Sequence, residues 1–288
     1  MCVAGMMRMS VTALAFVLAI AAAGEASAGA LDFIGQAKSV RIAYREDASP
    51  FSYNDKNGKP AGYMIDLCKA VTKKLAKQLR VPTLSISYVP VTAANRFEAI
   101  AQHKADLLCE ATSATLSRRE SVDFSISTYV GGTSLMIRTD GPRSLQKMSG
   151  RKIGVLGGTT AEQSLRDALK KAGVVADVYA AKTHAEGLAL LDDEKISAYF
   201  ADRDVLTTLI RDSKAPEKLL VADNYLTIEP YALALPHGDD AFRLAVDRAL
   251  SQIYRSGEIN QIIQNAFSAR AKPSQLLQTL FVVTALPD

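Results

Sequence analysis

From residue 39 onward the apolar positions switch between two periods. Ser39–Tyr44 is a β-branched run that predicts a strand, followed by a polar, acidic turn at Arg45–Ser49. Asn54–Gly58 carries a second turn signal. From Tyr63 the spacing becomes helical: Met64, Leu67, Cys68, Val71, Leu75 and Leu79 fall on one face, while Lys69, Lys73, Lys74 and Lys77 point elsewhere. Pro82 ends that region. Thr83–Pro90 predicts a strand, Asn95–His103 a helix and Ala105–Cys109 a third strand. Strand, helix, strand, helix, strand is the order of a doubly wound α/β sheet.

The order then restarts. Ser134–Arg138 and Lys152–Leu156 predict strands, the second running into Gly157-Gly158-Thr159-Thr160 and a helix through Lys171. Val174–Tyr179, a helix across Ala185–Asp192, the strand Ala198–Ala201 and a helix from Asp204 complete a second unit. Tyr231–Leu235 is a further strand, and Asp240–Tyr254 and Glu258–Phe267 are helices. Two α/β units with no flexible linker predict two lobes joined by short strands, with a cleft between them. In such sheets a ligand sits outside the carboxyl ends of the strands.

The N-terminus is set apart from this pattern. Arg8 precedes an apolar run at Val11–Ala23, and Ala26-Ser27-Ala28 then supplies small residues at a cleavage position. Residues 1–28 therefore read as a signal peptide, which places the mature protein outside the cytoplasm. The chain has 288 residues, 48% of them apolar and 22% charged, enough for two lobes with separate cores. Its net charge of +4 is spread along the sequence with no dense basic run, which argues against a nucleic-acid partner. Export also changes how the cysteines read. Cys68 and Cys109 remain as an even pair in an oxidising compartment, predicting a disulfide, with two buried thiols as the alternative.

Candidate chemistry lies at strand ends and helix starts. Arg45, Arg96 and Arg118 each stand there, and an arginine fork holds a carboxylate through two parallel hydrogen bonds. Thr159 and Thr160 begin a helix, either as simple caps or as part of an anion site. Asp202 ends a strand, where it can pair with an ammonium group or cap the next helix. His184 has no second histidine at metal spacing, so no metal site is expected. Nucleotide phosphate motifs are absent as well, and no cofactor is expected.

Four segments, PFSYNDKNGKPAGYMIDL, KADLLCEATSATLSRRESVDFS, GRKIGVLGGTTAE and ALSQIYRSGEINQIIQNAF, carry a resemblance. Over about Val40–Phe267 the chain resembles the amino-acid-type (family 3) solute-binding proteins of ABC transporters, and within them the glutamate/aspartate-binding proteins. The resemblance implies a two-lobed α/β periplasmic-binding-protein fold with a hinge of two crossover strands. Lobe one would take residues 29–133 and 230–288 and lobe two residues 134–229, with Ser134–Arg138 and Tyr231–Leu235 as hinge strands. It implies that Arg118 takes an α-carboxylate and Asp202 an α-ammonium group. Arg45, Arg96 and His184 would hold a side-chain carboxylate. Thr159, Ser113 and the Ala111 carbonyl would complete the contacts.

The expected function is capture of an amino acid, an acidic one, by a monomeric periplasmic receptor serving an inner-membrane ABC permease, with no chemistry of its own. Glu110 and Ala111 depart from the pattern, a glycine and a serine being usual there. A carboxylate at Glu110 facing the cleft would oppose an acidic ligand. It also sustains the competing expectation of an enzyme, since periplasmic cyclohexadienyl dehydratases look like this family.

Overall fold

The computed structural model describes residues 29–287, and the predicted signal peptide lies outside them. Two five-stranded sheets organise the chain. In the first, Ser39–Arg45 lies between Ser85–Val91 and Leu107–Leu108 and parallel to both. Glu229–Pro236 and then Val122–Gly131 extend that sheet antiparallel. In the second, Lys152–Leu156 lies between Asp177–Ala181 and Ala198–Asp202, again in parallel. Thr133–Arg138 and Leu219–Val221 complete it antiparallel. A small antiparallel sheet of Asp47–Ala48, Ser52–Asn54 and Pro60–Ala61 leads from the first strand to the helix Tyr63–Gln78.

Each sheet is covered on both faces because alternate strand residues point to opposite sides. Ile42, Leu107, Leu233 and Leu235 pack under the helices Tyr63–Gln78, Asp240–Arg255 and Glu258–Ala266, together with Leu277 and Phe281 of Gln275–Thr284. Ala43, Leu108, Phe124 and Ala234 face the other way, towards Ala99 and Ile100 of the helix Arg96–Ala101. In the second sheet Ile153, Val155 and Phe200 meet Leu165 and Leu169, while Tyr199 and Ala201 meet Leu188, Leu191 and Leu206. Each fully buried Leu or Ile contributes about 1.5–3 kcal/mol. The helical spacing from Tyr63 predicts the burial seen: Met64, Leu67, Cys68, Val71 and Leu75 are buried, and Lys73 and Lys77 are exposed.

Several details differ from the sequence-based expectation. The strand expected at Val174–Tyr179 runs from Asp177 to Ala181. Gly173, at φ +64°, ends the preceding helix in a left-handed turn, and Val174 N–H returns to the Leu169 carbonyl, so the chain straightens only later. The ten-residue strand Val122–Gly131 was not expected; bulges opposite Tyr231 and Ala232 disturb its two-residue period. Finally, Thr133–Arg138 belongs wholly to the second sheet, so the first passage between sheets falls one step before Ser134–Arg138, at Gly131–Gly132. The chain returns between Val221 and Glu229. A Cβ on Gly131 would stand 2.2 Å from the Tyr231 hydroxyl oxygen, and one on Gly132 would stand 2.1 Å from the Thr227 carbonyl oxygen. The crossing therefore has no room for a side chain at either position.

Cys68 and Cys109 are joined in a disulfide, with Cα atoms 6.4 Å apart and a sequence separation of 41. The bond ties the end of the short Leu107–Leu108 strand to the Tyr63–Gln78 helix, immediately before Glu110.

Candidate functional site

The topology brings strand ends from both sheets to one place. Arg45 is the last residue of its strand, Arg96 opens a helix, and Glu110, Ala111 and Ser113 follow Leu107–Leu108. Arg118 begins a short 3-10 turn. From the second sheet, Thr159 caps the helix Thr160–Ala172, His184 opens the helix His184–Asp192, and Asp202 ends its strand. The eight residues expected from the resemblance to contact a ligand all line one cavity, together with Ala48, Glu110, Leu156, Thr160, Ala161 and Ala201. The two sides of the cleft touch: Arg96 Nη2 donates to the Gly158 carbonyl at 3.3 Å, and Thr208 Oγ1 donates to the Ser49 carbonyl at 2.6 Å.

Arg118 and Asp202 form one set of charges. Arg118 Nη1 donates to the Ser113 carbonyl at 2.8 Å, and its guanidinium lies 4.9 Å from the centre of the Phe97 ring. Burial, and then the nearby Arg96 cation, lower its pKa to about 10, so it stays charged at neutral pH. Asp202 opens a helix, yet its side chain makes no capping bond. Instead its carboxylate accepts from the Tyr231 hydroxyl. Burial is the main reason its pKa rises to about 7; the Tyr231 bond opposes the rise, and the charges of Glu229 and Glu110 add to it. Such a carboxylate gains from an incoming cation.

Arg45 and Arg96 form a second set that is already matched by acids. Arg45 directs Nε at 2.8 Å, and also Nη2, to the same Asp47 oxygen. Glu110 Oε2 stands 3.8 Å from Arg45 Nη1, and Glu110 Oε1 stands 3.0 Å from Arg96 Nε. That second approach lacks hydrogen-bond alignment, so Arg96 Nε has no hydrogen-bond partner among the described residues although Arg96 is only 3% exposed. Arg96 also donates to the Ala93 carbonyl and lies 4.7 Å from the Phe97 ring centre. Thr112 donates its hydroxyl to Glu110, which is itself buried. Glu110 thus faces the cleft and is held by two arginines, so the acid that the enzyme alternative needs is committed to ion pairs.

His184 is buried beside this set, with Nδ1 3.0 Å from the Tyr199 hydroxyl, and its backbone N–H donates to Asp47 at 3.3 Å. Burial, reinforced by the Arg45 cation, lowers its pKa to about 4. It is a neutral imidazole at neutral pH and offers a hydrogen bond rather than a charge. Asp47 is pulled up by burial, but Arg45 and His184 hold its carboxyl below the usual range.

Thr159 acts as a cap, donating to the Leu156 carbonyl at 2.7 Å and accepting from Glu162 N–H at 3.3 Å. Its neighbour Thr160 reaches across the cleft instead. Thr160 Oγ1 lies 3.2 Å from Ser113 Oγ and donates to Glu229 at 2.8 Å, and Ser113 donates to the same Glu229 oxygen. Glu229 was missed in the sequence because it opens a strand and has no flanking motif. Phe97 was missed because an apolar residue in a first helical turn reads as core. No group of His, Cys, Asp and Glu suited to a metal occurs among the described residues, and no described helix is long and apolar enough to cross a membrane.

Residues 40–269 match the bacterial extracellular solute-binding proteins, family 3. The chain is 30% identical over 252 residues to the L-glutamate/L-aspartate-binding protein of Pseudomonas aeruginosa, covering 86% of this chain and 83% of that one. It is 27% identical over 261 residues to the glutamate/aspartate import solute-binding protein of Salmonella typhimurium, covering 90% and 86%. Among solved structures it superposes on the ancestral amino acid-binding protein AncCDT-1, a precursor of cyclohexadienyl dehydratase, with a TM-score of 0.72 and 26% identity, covering 84% of this chain and 100% of that one. A family match across most of the chain, a two-sheet α/β architecture and a charged cleft at the strand ends agree: this protein belongs to the bacterial extracellular solute-binding proteins, family 3.

Proposed function

We propose that this chain is a periplasmic receptor that captures an acidic amino acid in the cleft and presents it to an ABC permease in the inner membrane. The names of the Pseudomonas and Salmonella relatives support the ligand class. One observation carries the assignment to this cleft: a half-buried guanidinium from one lobe and a half-buried carboxylate from the other, Arg118 and Asp202, line the same cavity. A zwitterion needs one anchor of each sign. Arg118 takes the α-carboxylate and Asp202 the α-ammonium group, displacing the Tyr231 hydroxyl. Arg45, Arg96 and His184 receive the side chain, while Thr159, Ser113 and Ala111 line the passage between. The two lobes, one built on each sheet, would swing about Gly131–Gly132 and the return between Val221 and Glu229. The signal peptide would be cleaved after Ala28 on export, and the receptor would work as a monomer without a cofactor.

A thermal-shift screen with the twenty amino acids tests this. A ligand at 100 times its Kd stabilises the folded state by about 2.7 kcal/mol. Glutamate or aspartate is expected among the stabilising compounds, and a flat response across all twenty would refute the proposal.

A further inference from the structure

We propose that Glu110 sets side-chain selectivity in the cleft, so that the amides glutamine and asparagine are admitted alongside the acids. This inference rests on the cleft being the amino-acid site. Two buried cations, Arg45 and Arg96, face the side-chain region, and two carboxylates, Asp47 and Glu110, already lie against them. The set is electrically balanced before any ligand arrives. A ligand carboxylate must either push Glu110 off the arginines or add an uncompensated negative charge to a buried site, and both are costly.

An amide meets neither obstacle. Its oxygen can accept from Arg45 Nη1, which stands 3.8 Å from Glu110 Oε2, beyond hydrogen-bond distance. Its NH₂ group can donate to Glu110, whose Oε2 has only the distant Arg45 Nη1 nearby at 3.8 Å. His184, neutral and tied to Tyr199 through Nδ1, adds a polar contact without adding charge. Asp202, a carboxylate outside this set, lies close enough to interact with Arg96 and Glu110, which further disfavours a second acid. Glu110 therefore acts as a resident carboxylate that lowers the advantage of an acidic side chain.

The test is calorimetric titration with glutamate, aspartate, glutamine and asparagine on the wild type, Glu110→Gln and Glu110→Ala at neutral pH. The wild type is expected to bind acids and amides within about tenfold of each other, a tenfold difference being about 1.4 kcal/mol. Glu110→Ala leaves Arg96 without a carboxylate partner and Arg45 with Asp47 alone, and should shift the ratio towards the acids by about tenfold or more. Glu110→Gln has nearly the same shape and can still accept from Thr112, so it should stay folded if the alanine variant does not, and should shift the ratio the same way by less. An unchanged ratio in the folded variants, or a wild type that excludes the amides, overturns the role of Glu110 and leaves the receptor assignment standing. A wild type that binds none of the four overturns the receptor assignment and this inference with it.

Discussion

Two sets of charges line the same cleft and differ in how far the protein has satisfied them. Arg118 and Asp202 come from opposite sides, and their polar partners are a carbonyl and a tyrosine hydroxyl. Arg45 and Arg96 are more deeply buried and already face carboxylates of the protein itself. The first set leaves its charge for a ligand and suits the part common to all amino acids. The second spends its charge internally and, in its proposed role, would respond to the shape and polarity of a side chain more than to its net charge. Selectivity in a buried site is thus governed by which counter-charges remain, not by how many arginines are present.

The largest expected effect separates the sets by charge. Asp202→Asn should weaken every amino acid by about 2–5 kcal/mol, the usual cost of removing one partner of a buried charged contact. The same residue gives a pH signature. The Asp202 carboxyl is raised to about 7, so below that pH it is protonated in the free protein and must release a proton to receive an ammonium group. Affinity should therefore be flat above pH about 7 and fall by up to about tenfold per pH unit below it. Calorimetry between pH 5 and 8 checks the slope, which should vanish in Asp202→Asn.

The second set depends on a loop fixed by the disulfide, since Cys109 immediately precedes Glu110. A cross-link closing 41 residues stabilises by about 4 kcal/mol in the chain-entropy model. Urea unfolding with and without reductant should show a loss of that order. Binding to the reduced, still folded protein should lose discrimination between side chains before it loses amino acids altogether.

Much of this arrangement was legible in the sequence, for reasons that can be traced to single residues. Arg45, Arg96, Arg118, His184 and Asp202 stand at strand ends or helix starts, and parallel sheets bring such positions together. Cys68 and Cys109 were legible as a pair through their number and the export signal. The direction of Glu110 was not, because it depends on guanidinium groups from two other segments that only the folded sheet brings near. Asp202 read equally well as a helix cap until the structure placed its carboxylate on Tyr231. The Val122–Gly131 strand stayed hidden behind its bulges, and with it the site of the crossing.

A smaller effect is expected where both lobes meet. Glu229 gathers Ser113 from one side and Thr160 from the other. Glu229→Gln replaces a charged acceptor and should cost about 1.5–3 kcal/mol of closure at most. Because closure serves every ligand, titrations should show weaker binding throughout with the ratio of acids to amides unchanged.

The division between the two sets is tested most directly by titrating Arg118→Ala and Arg45→Ala in parallel with glutamate and glutamine, after matched melting curves confirm that both variants are folded. Arg118→Ala should abolish detectable binding of both ligands. Arg45→Ala should weaken glutamate more than glutamine while leaving glutamine measurable. Normal binding by Arg118→Ala, or an equal loss of both ligands in Arg45→Ala, would contradict the account.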